Sequence, residues 1–338
     1  MEVRGRSCPL AYRYQPEALA QPPRLEADTL YVVGGLYGNP AALEAVLERA
    51  DREPDGPPAI VFNGDFHWLD VDPDDFQAIS ETVLAHHAIK GNVEAELASD
   101  EDAGCGCAYP DYISDDVVER SNQIMTRLRG TAGRFPELVG RLGGLPRYLT
   151  ASVGGQQIGI LHGNPESLAG WRLALEAMEP GDPLVRRQVG WHGQPTTNDD
   201  LLDWFHRAEV SVFACTHTGL PYALDLADQQ GRRRLVINNG SAGLANFTGT
   251  TFGVITRLST SSQPPADSLY GISIDGLRCD ALALEFDVAS WKAHFAAQWP
   301  EGSPAYDRYF ARINAGTPLQ LRQAVRGTVT QTDQRRRR

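Results

Sequence analysis

The 338-residue sequence predicts an α/β fold, and three observations carry that expectation. Apolar runs of strand length recur at Thr29–Val33, 59–62 and 88–90. Each stops abruptly at a cluster of Gly, Asn or Asp. The stretches that follow the first two carry apolar residues at helical spacing behind a capping residue. A run such as 59–62, apolar at every position, suits a parallel strand covered on both faces. Such a strand binds ligands beyond its C-terminal end, which is where Asp65 falls in the stretch AIVFNGDFHWLD.

The elements follow in order. Residues 1–28, punctuated by Pro and Arg, read as an N-terminal arm packed on the domain. After Thr29–Val33, the turn Gly34-Gly35-Leu36-Tyr37-Gly38 leads to Asn39 as N-cap and Pro40 in the first helical position. Leu43, Val46, Leu47 and Ala50 then share one helical face. The second strand ends at Asn63-Gly64-Asp65, with His67 two residues on, and a helix follows from Asp72-Pro73. The short third strand runs into Gly91-Asn92-Val93-Glu94. Residues 99–111 form a polar loop broken by Gly, and helices are expected at 115–128 and 135–142. A hairpin at 148–161 delivers His162 and Gly163. Helices are expected at 168–178 and from Asn198, and the strand 210–214 ends in Cys215-Thr216-His217. A further hairpin at 222–238 leads to Asn238-Asn239-Gly240-Ser241, followed by a strand at 252–258 and a hairpin turning on Asp275-Gly276. The chain after Asp287 reads as a helical appendage (287–330) with a disordered basic tail at 331–338.

Composition narrows the classes. A net charge of −12 argues against a nucleic-acid-binding surface. Five irregularly spaced cysteines do not form a disulfide framework. No run is long enough to span a membrane, and the first residues lack the apolar core of a secretion signal, so the default is a cytoplasmic protein. A nucleotide-binding reading rests only on the Gly34 turn, which lacks both the G-x-G-x-x-G order and a P-loop Lys-Ser/Thr. Cys105-Gly106-Cys107 reads as part of a metal site, as a redox pair or as two free thiols. His67 reads as a replacement ligand, a phosphate contact or a hydrogen-bonded structural histidine.

GGLYGN, NGD, GNVE, LHG, CTH and NNGS, in that order, resemble the motif series of the calcineurin-like metallophosphoesterases over roughly 29–258. Members carry D-x-H-G-N, G-D, G-N-[HC]-[DE], G-H, G-H-x-H and N-P-G-S, each closing a strand beside a two-metal centre. The resemblance implies a four-layer α/β/β/α sandwich over 29–286, with a helical insertion at about 99–145 and a C-terminal hairpin-plus-helix extension. It implies metal ligands at Asp65, Asn92, His162, Cys215 and His217, with Asp65, Asn92 and His162 catalytic. Asn39, His67, Glu94, Cys105 and Cys107 are accessory candidates.

The series is altered where it matters for chemistry. Gly35 and Tyr37 stand where the Asp and His ligands of the first metal belong, and Val93 stands where many members place the leaving-group acid. Cys215 replaces a His and reads either as a softer ligand or as a small buried hydrophobe. Two protein ligands rarely hold a divalent ion, while three or four commonly do. The expectation is therefore one divalent metal per chain (zinc, iron or manganese) at the second position. The implied activity is phosphoester hydrolysis on a small substrate, diesters favoured over monoesters. The alternative is a non-catalytic binding or regulatory module on the same fold.

Overall fold

The computed structural model describes residues 4–54, 56–178, 183–188 and 190–332. Its strands are β1 (Leu25–Ala27), β2 (Thr29–Val33), β3 (Ala59–Asn63), β4 (His87–Ile89), β5 (Tyr148–Val153), β6 (Gln156–Leu161), β7 (Val212–Cys215), β8 (Tyr222–Ala227), β9 (Arg233–Asn238), β10 (Gly253–Ser259), β11 (Ser268–Ile274), β12 (Leu277–Leu284), β13 (Val325–Arg326) and β14 (Thr330–Gln331). Its helices are α1 (Pro40–Asp51), α2 (Pro73–Val83), α3 (Asn92–Leu97), α4 (Asp115–Ala132), α5 (Pro136–Gly143), α6 (Leu175–Met178), α7 (Pro183–Gln188), α8 (Asn198–Ala208), α9 (Val288–Gln298) and α10 (Pro304–Ala315).

Two mixed sheets result, ordered β1-β5-β6-β7-β9-β8-β13 and β14-β11-β12-β10-β2-β3-β4. Each has a parallel trio near one end of the site: β2, β3 and β4 in one sheet, β6, β7 and β9 in the other. Alternation along β2 and β3 sets the layers. Leu30, Val32 and Val61 join the core shared with the facing sheet, which includes Ile158, Val212 and Val236. Tyr31, Val33, Ile60 and Phe62 point the other way, into a second core with α1, α2, α4, α9 and α10. On the far side α8 covers the other sheet, with Phe205 stacked on Phe213 at 4.4 Å between centroids. The order is helix, sheet, sheet, helix, as the motif resemblance implies.

The caps behave as the sequence predicts. Asn39 Oδ1 accepts from the Ala42 N–H at 3.1 Å, and Asp72 Oδ1 from Asp74 N–H at 2.9 Å. The Asp275-Gly276 turn has both residues at positive φ, as a two-residue hairpin requires. One stretch differs. Within the helix expected over 168–178, only α6 at its end is helical. Gly170 lies against the Asn164 side chain so closely that no Cβ would fit, and Trp171 Nε1–H donates to the Cys107 carbonyl at 2.8 Å. These contacts hold 168–174 as a loop. The Arg335 to Arg338 run lies outside the described residues.

Candidate metal centre

The parallel trios bring their C-terminal ends to one place. The register pairs Phe62 with Ala88 and Asn63 with Ile89 in one sheet, and Ile160 with Ala214 in the other. The backbone then leaves β3 through Gly64, at φ +78, where a Cβ would sit 2.4 Å from the Gly91 nitrogen. Only glycine allows the two loops to meet so closely. Asp65 follows at φ +53, a left-handed conformation uncommon outside glycine but tolerated by Asp. Its amide N–H, with those of His67 and Gly91, donates to the buried Glu94 carboxylate at 2.8, 3.3 and 2.8 Å. Glu94 thus fixes the Asp65 and Asn92 loops to each other.

Asp65, His162 and His217 are buried, and they offer ligand atoms that all lie within 4.8 Å of one another. His162 Nε2 is 3.2 Å from Asp65 Oδ2, 3.2 Å from Asn92 Oδ1 and 3.2 Å from His217 Nδ1. The other side of each group is already committed. His162 Nδ1 faces the Asn63 carbonyl at 2.9 Å, and His217 Nε2 faces the Cys107 carbonyl at 3.1 Å. A carbonyl only accepts, so in each neutral ring the nitrogen facing it carries the hydrogen and the inner nitrogen presents a lone pair. The Asn92 amide donates from Nδ2 to the Cys105 carbonyl at 3.0 Å, which turns its oxygen inward. Two nitrogens, an amide oxygen and a carboxylate oxygen therefore converge as acceptors. Such a set needs positive charge at its centre, either a proton on His162 Nε2 or a bound cation, and its mix of imidazole and oxygen suits a divalent metal ion. Histidines held from behind by carbonyls are the usual arrangement of metal-ligating imidazoles.

With no cation bound, that charge falls on His162. Burial works against ionisation of Asp65, but His162 holds its carboxyl below the ordinary range. Burial also opposes charge on His162, yet Asp65 raises it overall. Burial, and then the charge of His162, push His217 down to about 3, so this ring stays neutral.

The remaining candidates fall elsewhere. Cys215 is not in the converging group; it lies in the core between the sheets, where burial pushes its thiol up to about 12. His67 is fully buried between Asp70, at 2.6 Å from Nδ1, and the Ser80 hydroxyl, at 3.0 Å from Nε2, and it stacks on Phe76. Both ring nitrogens are thereby used within the helical layer. Asn39 is spent on the α1 cap and on the Gly243 carbonyl at 3.0 Å. Cys105 and Cys107 are buried free thiols outside the ligand group. Their carbonyls orient Asn92 and His217, and the Cys107 sulfur also accepts from the Asn92 amide at 3.7 Å.

Gly35 and Tyr37 leave the first-metal half without donors of the expected kind. Gly35 bridges to Ser241, and a Cβ there would meet the Tyr37 ring at 2.6 Å. Burial, and next the charge of Asp65, push the Tyr37 phenol above its ordinary range, so it remains protonated. Beside it opens a cavity of about 90 Å³, reaching Asp65, Val93, Trp171 and His217. Its far wall is α10, which contributes Arg308, Tyr309 and Arg312. Sequence reading did not place these residues at the site. The available signal was the Arg308/Arg312 pair, four apart on one helix face.

No protein-family model and no curated protein matches the chain. Solved structures do. A hypothetical protein from Pyrococcus horikoshii OT3 aligns at 15% identity over 87% of this chain and 100% of its own, with a TM-score of 0.55. A metallophosphoesterase from Sphaerobacter thermophilus aligns at 18% identity over 86% and 100%, with a TM-score of 0.49. At these identities the likeness is one of fold, and it agrees with the layered α/β architecture that the motif series implies. No helix among the described residues is long and apolar enough to cross a membrane.

Proposed function

We propose that the chain is a metal-dependent phosphoester hydrolase with one divalent ion, held by Asp65, Asn92, His162 and His217. The observation that carries this reading is the convergence of their ligand atoms on one point, where a divalent ion would replace a proton on His162. Zinc, iron or manganese suits that donor set. When bound, the ion would offset charge on phosphoryl oxygens and activate water. The protein's own residues set the rest. The Asn63 and Cys107 carbonyls fix the tautomers of His162 and His217, so that each neutral ring turns its unprotonated nitrogen to the centre. Val93 N–H donates to Asp65 Oδ1 at 3.1 Å, leaving Oδ2 to face the centre. Trp171 and Tyr109 wall the cavity against bulk water.

The Val93 side chain cannot protonate a leaving group. General-acid help is typically worth about 10²–10⁴-fold. Diesters with good leaving groups are therefore the favoured substrates, and monoesters with alkoxide leaving groups the poor ones. The test is metal content of chelator-free protein by elemental mass spectrometry, beside turnover of bis(p-nitrophenyl) phosphate. About one ion per chain, lost together with turnover in Asp65→Asn, is expected. Full metal-dependent turnover in that variant would refute the assignment. The loss of donors at Gly35 and Tyr37 favours a second reading, a cleft that binds a phosphoester without cleaving it. That reading predicts binding with no turnover at saturating metal.

A further inference from the structure

We propose that Arg312 and Arg308 form an anion clamp that seats the phosphoryl group and supplies the positive charge the first-metal half has lost. This rests on the hydrolase reading for the identity of the anion, but its observations are separate.

Arg312 is fixed before any ligand arrives. Its Nε donates to the Ala245 carbonyl at 2.8 Å and one terminal nitrogen to the Gly219 carbonyl at 2.9 Å. The other terminal nitrogen lies 3.6 Å, and the Tyr37 hydroxyl 3.2 Å, from the point where a Cβ on Gly219 would sit. Guanidinium and phenol thus converge on the same corner, beside the turn that would have carried the first-metal ligands. Arg308, one helical turn earlier, lies at the cavity mouth with its guanidinium 5.6 Å from the Tyr309 ring centroid.

Most buried or half-buried arginines in this chain are matched to carboxylates: Arg49 to Asp267 and Glu53, Arg129 to Glu96, Arg257 to Glu53, Arg278 to Asp280. Arg308, which is exposed, and the half-buried Arg312 have no carboxylate partner among the described residues. Both line a cavity whose one carboxylate, Asp65, is turned toward His162, and the neighbours of Arg308 there are the phenols of Tyr109 and Tyr309. A planar guanidinium with spare N–H groups in a half-desolvated cleft suits a tetrahedral oxyanion. The cavity, at about 90 Å³, holds several times the space one water needs and far less than a nucleoside. It fits a phosphoryl group, with the remainder of a substrate left outside.

The helix is anchored for this role. Tyr309 accepts from Trp68 Nε1 at 3.0 Å, and Trp299 Nε1, between α9 and α10, donates to the Leu69 carbonyl at 2.7 Å. Arg120 of α4 pairs with Asp307 at 3.0 Å, on the side of α10 away from the cavity.

The experiment is calorimetric titration of inorganic phosphate into the full chain, metal-loaded and metal-stripped. Arg308→Met, Arg312→Met, Arg312→Lys and the control Arg127→Met are compared with the parent, and metal content is measured in parallel. Arg127 sits over Trp299, outside the cavity. Loss of one charge-assisted contact predicts phosphate binding about 10- to 100-fold weaker in Arg308→Met and Arg312→Met. Metal content and the Arg127→Met affinity should be unchanged, and Arg312→Lys should restore only part of the affinity. If Arg312→Met does not fold, Arg308→Met, whose side chain holds no backbone carbonyl, decides alone. Parent affinity retained in the arginine variants would overturn the clamp, as would absence of phosphate binding by the parent. A chain with no metal and no turnover whose phosphate affinity still falls with Arg308→Met would keep the clamp and refute the hydrolase.

Discussion

β2 and β3 lie side by side, run parallel and end at the same edge of one sheet. Beyond β3 the chain presents Asp65, clamped by Glu94, and beyond β2 it presents Gly35, tied to Ser241. The backbone engineering is equally elaborate in both turns. Tyr37 and Asp65 each adopt a positive φ, and Tyr37 N–H donates to the Asp65 carbonyl at 3.2 Å. The difference lies only in which side chains the turns carry. Two neighbouring turns of similar build can thus differ in whether they carry a candidate ligand, and the cavity beside the turn without one is lined from α10.

The comparison can be broken from either side. The largest effect should come from His162→Ala, which removes the nitrogen shared by the other three donors. Changes to residues that merely orient metal ligands cost about 10–100-fold in affinity, so loss of a ligand should exceed that, and bound metal should be undetectable after dialysis. The converse is Gly35→Asp with Tyr37→His. Gly35 is not at positive φ, and removing the Tyr37 ring relieves its contact with a new Cβ. Metal content should rise from about one to about two ions per chain, since donors are then present for both. A double variant still holding one ion would mean that α10 blocks the second position. A smaller effect is expected from Gly106→Ala. Gly106 has φ +64, and a Cβ there would press on Glu96 and on the Tyr12 hydroxyl. Stability should fall by about 1–3 kcal/mol in thermal or denaturant unfolding. Metal affinity should weaken about tenfold as the carbonyls of this loop shift behind Asn92 and His217. The smallest effect belongs to Cys215→Ala. Metal content should stay constant, with about 1 kcal/mol lost from core packing. A drop in metal would place the thiol among the ligands after all.

How legible these features were depends on whether a role belongs to a side chain or to the backbone. The resemblance of the motif series names Asp65, Asn92, His162 and His217 as ligands, and the fold brings these four side chains together. The loop at 104–108 could not be read in this way. Its cysteines draw attention, yet its carbonyls hold the site together, and every residue has a carbonyl. His67 was ambiguous for a related reason. Asp70 three residues on was visible, but Ser80, which takes its second nitrogen, reaches it only through the packing of α2. Cys215 and His217 are two positions apart on the chain, and only the path of the backbone after β7 decides which faces the ion. The arginines of α10 were the hardest to see. Arg308 and Arg312 look like any solvated helix face, and they meet Asp65 only because Trp68, Trp299 and Arg120 fasten the helix over the cleft.

The chain crosses between the sheets near both ends. Asp28 separates β1 in one sheet from β2 in the other, and three residues separate β13 from β14, again in different sheets. Three of the four sheet edges are thus closed by these crossings, at β1, β13 and β14, and β4 is the fourth. None exceeds three residues. Edges this short give an incoming chain too few ladder bonds to add a strand. Removing the chain beyond 324 would uncover the two residues that β13 pairs on β8 and the two that β14 pairs on β11, leaving strands of six and seven residues as edges with no partner along their length. The turn between β13 and β14 thereby guards against self-association: a chain lacking it should sediment as aggregate where the 338-residue chain stays dispersed.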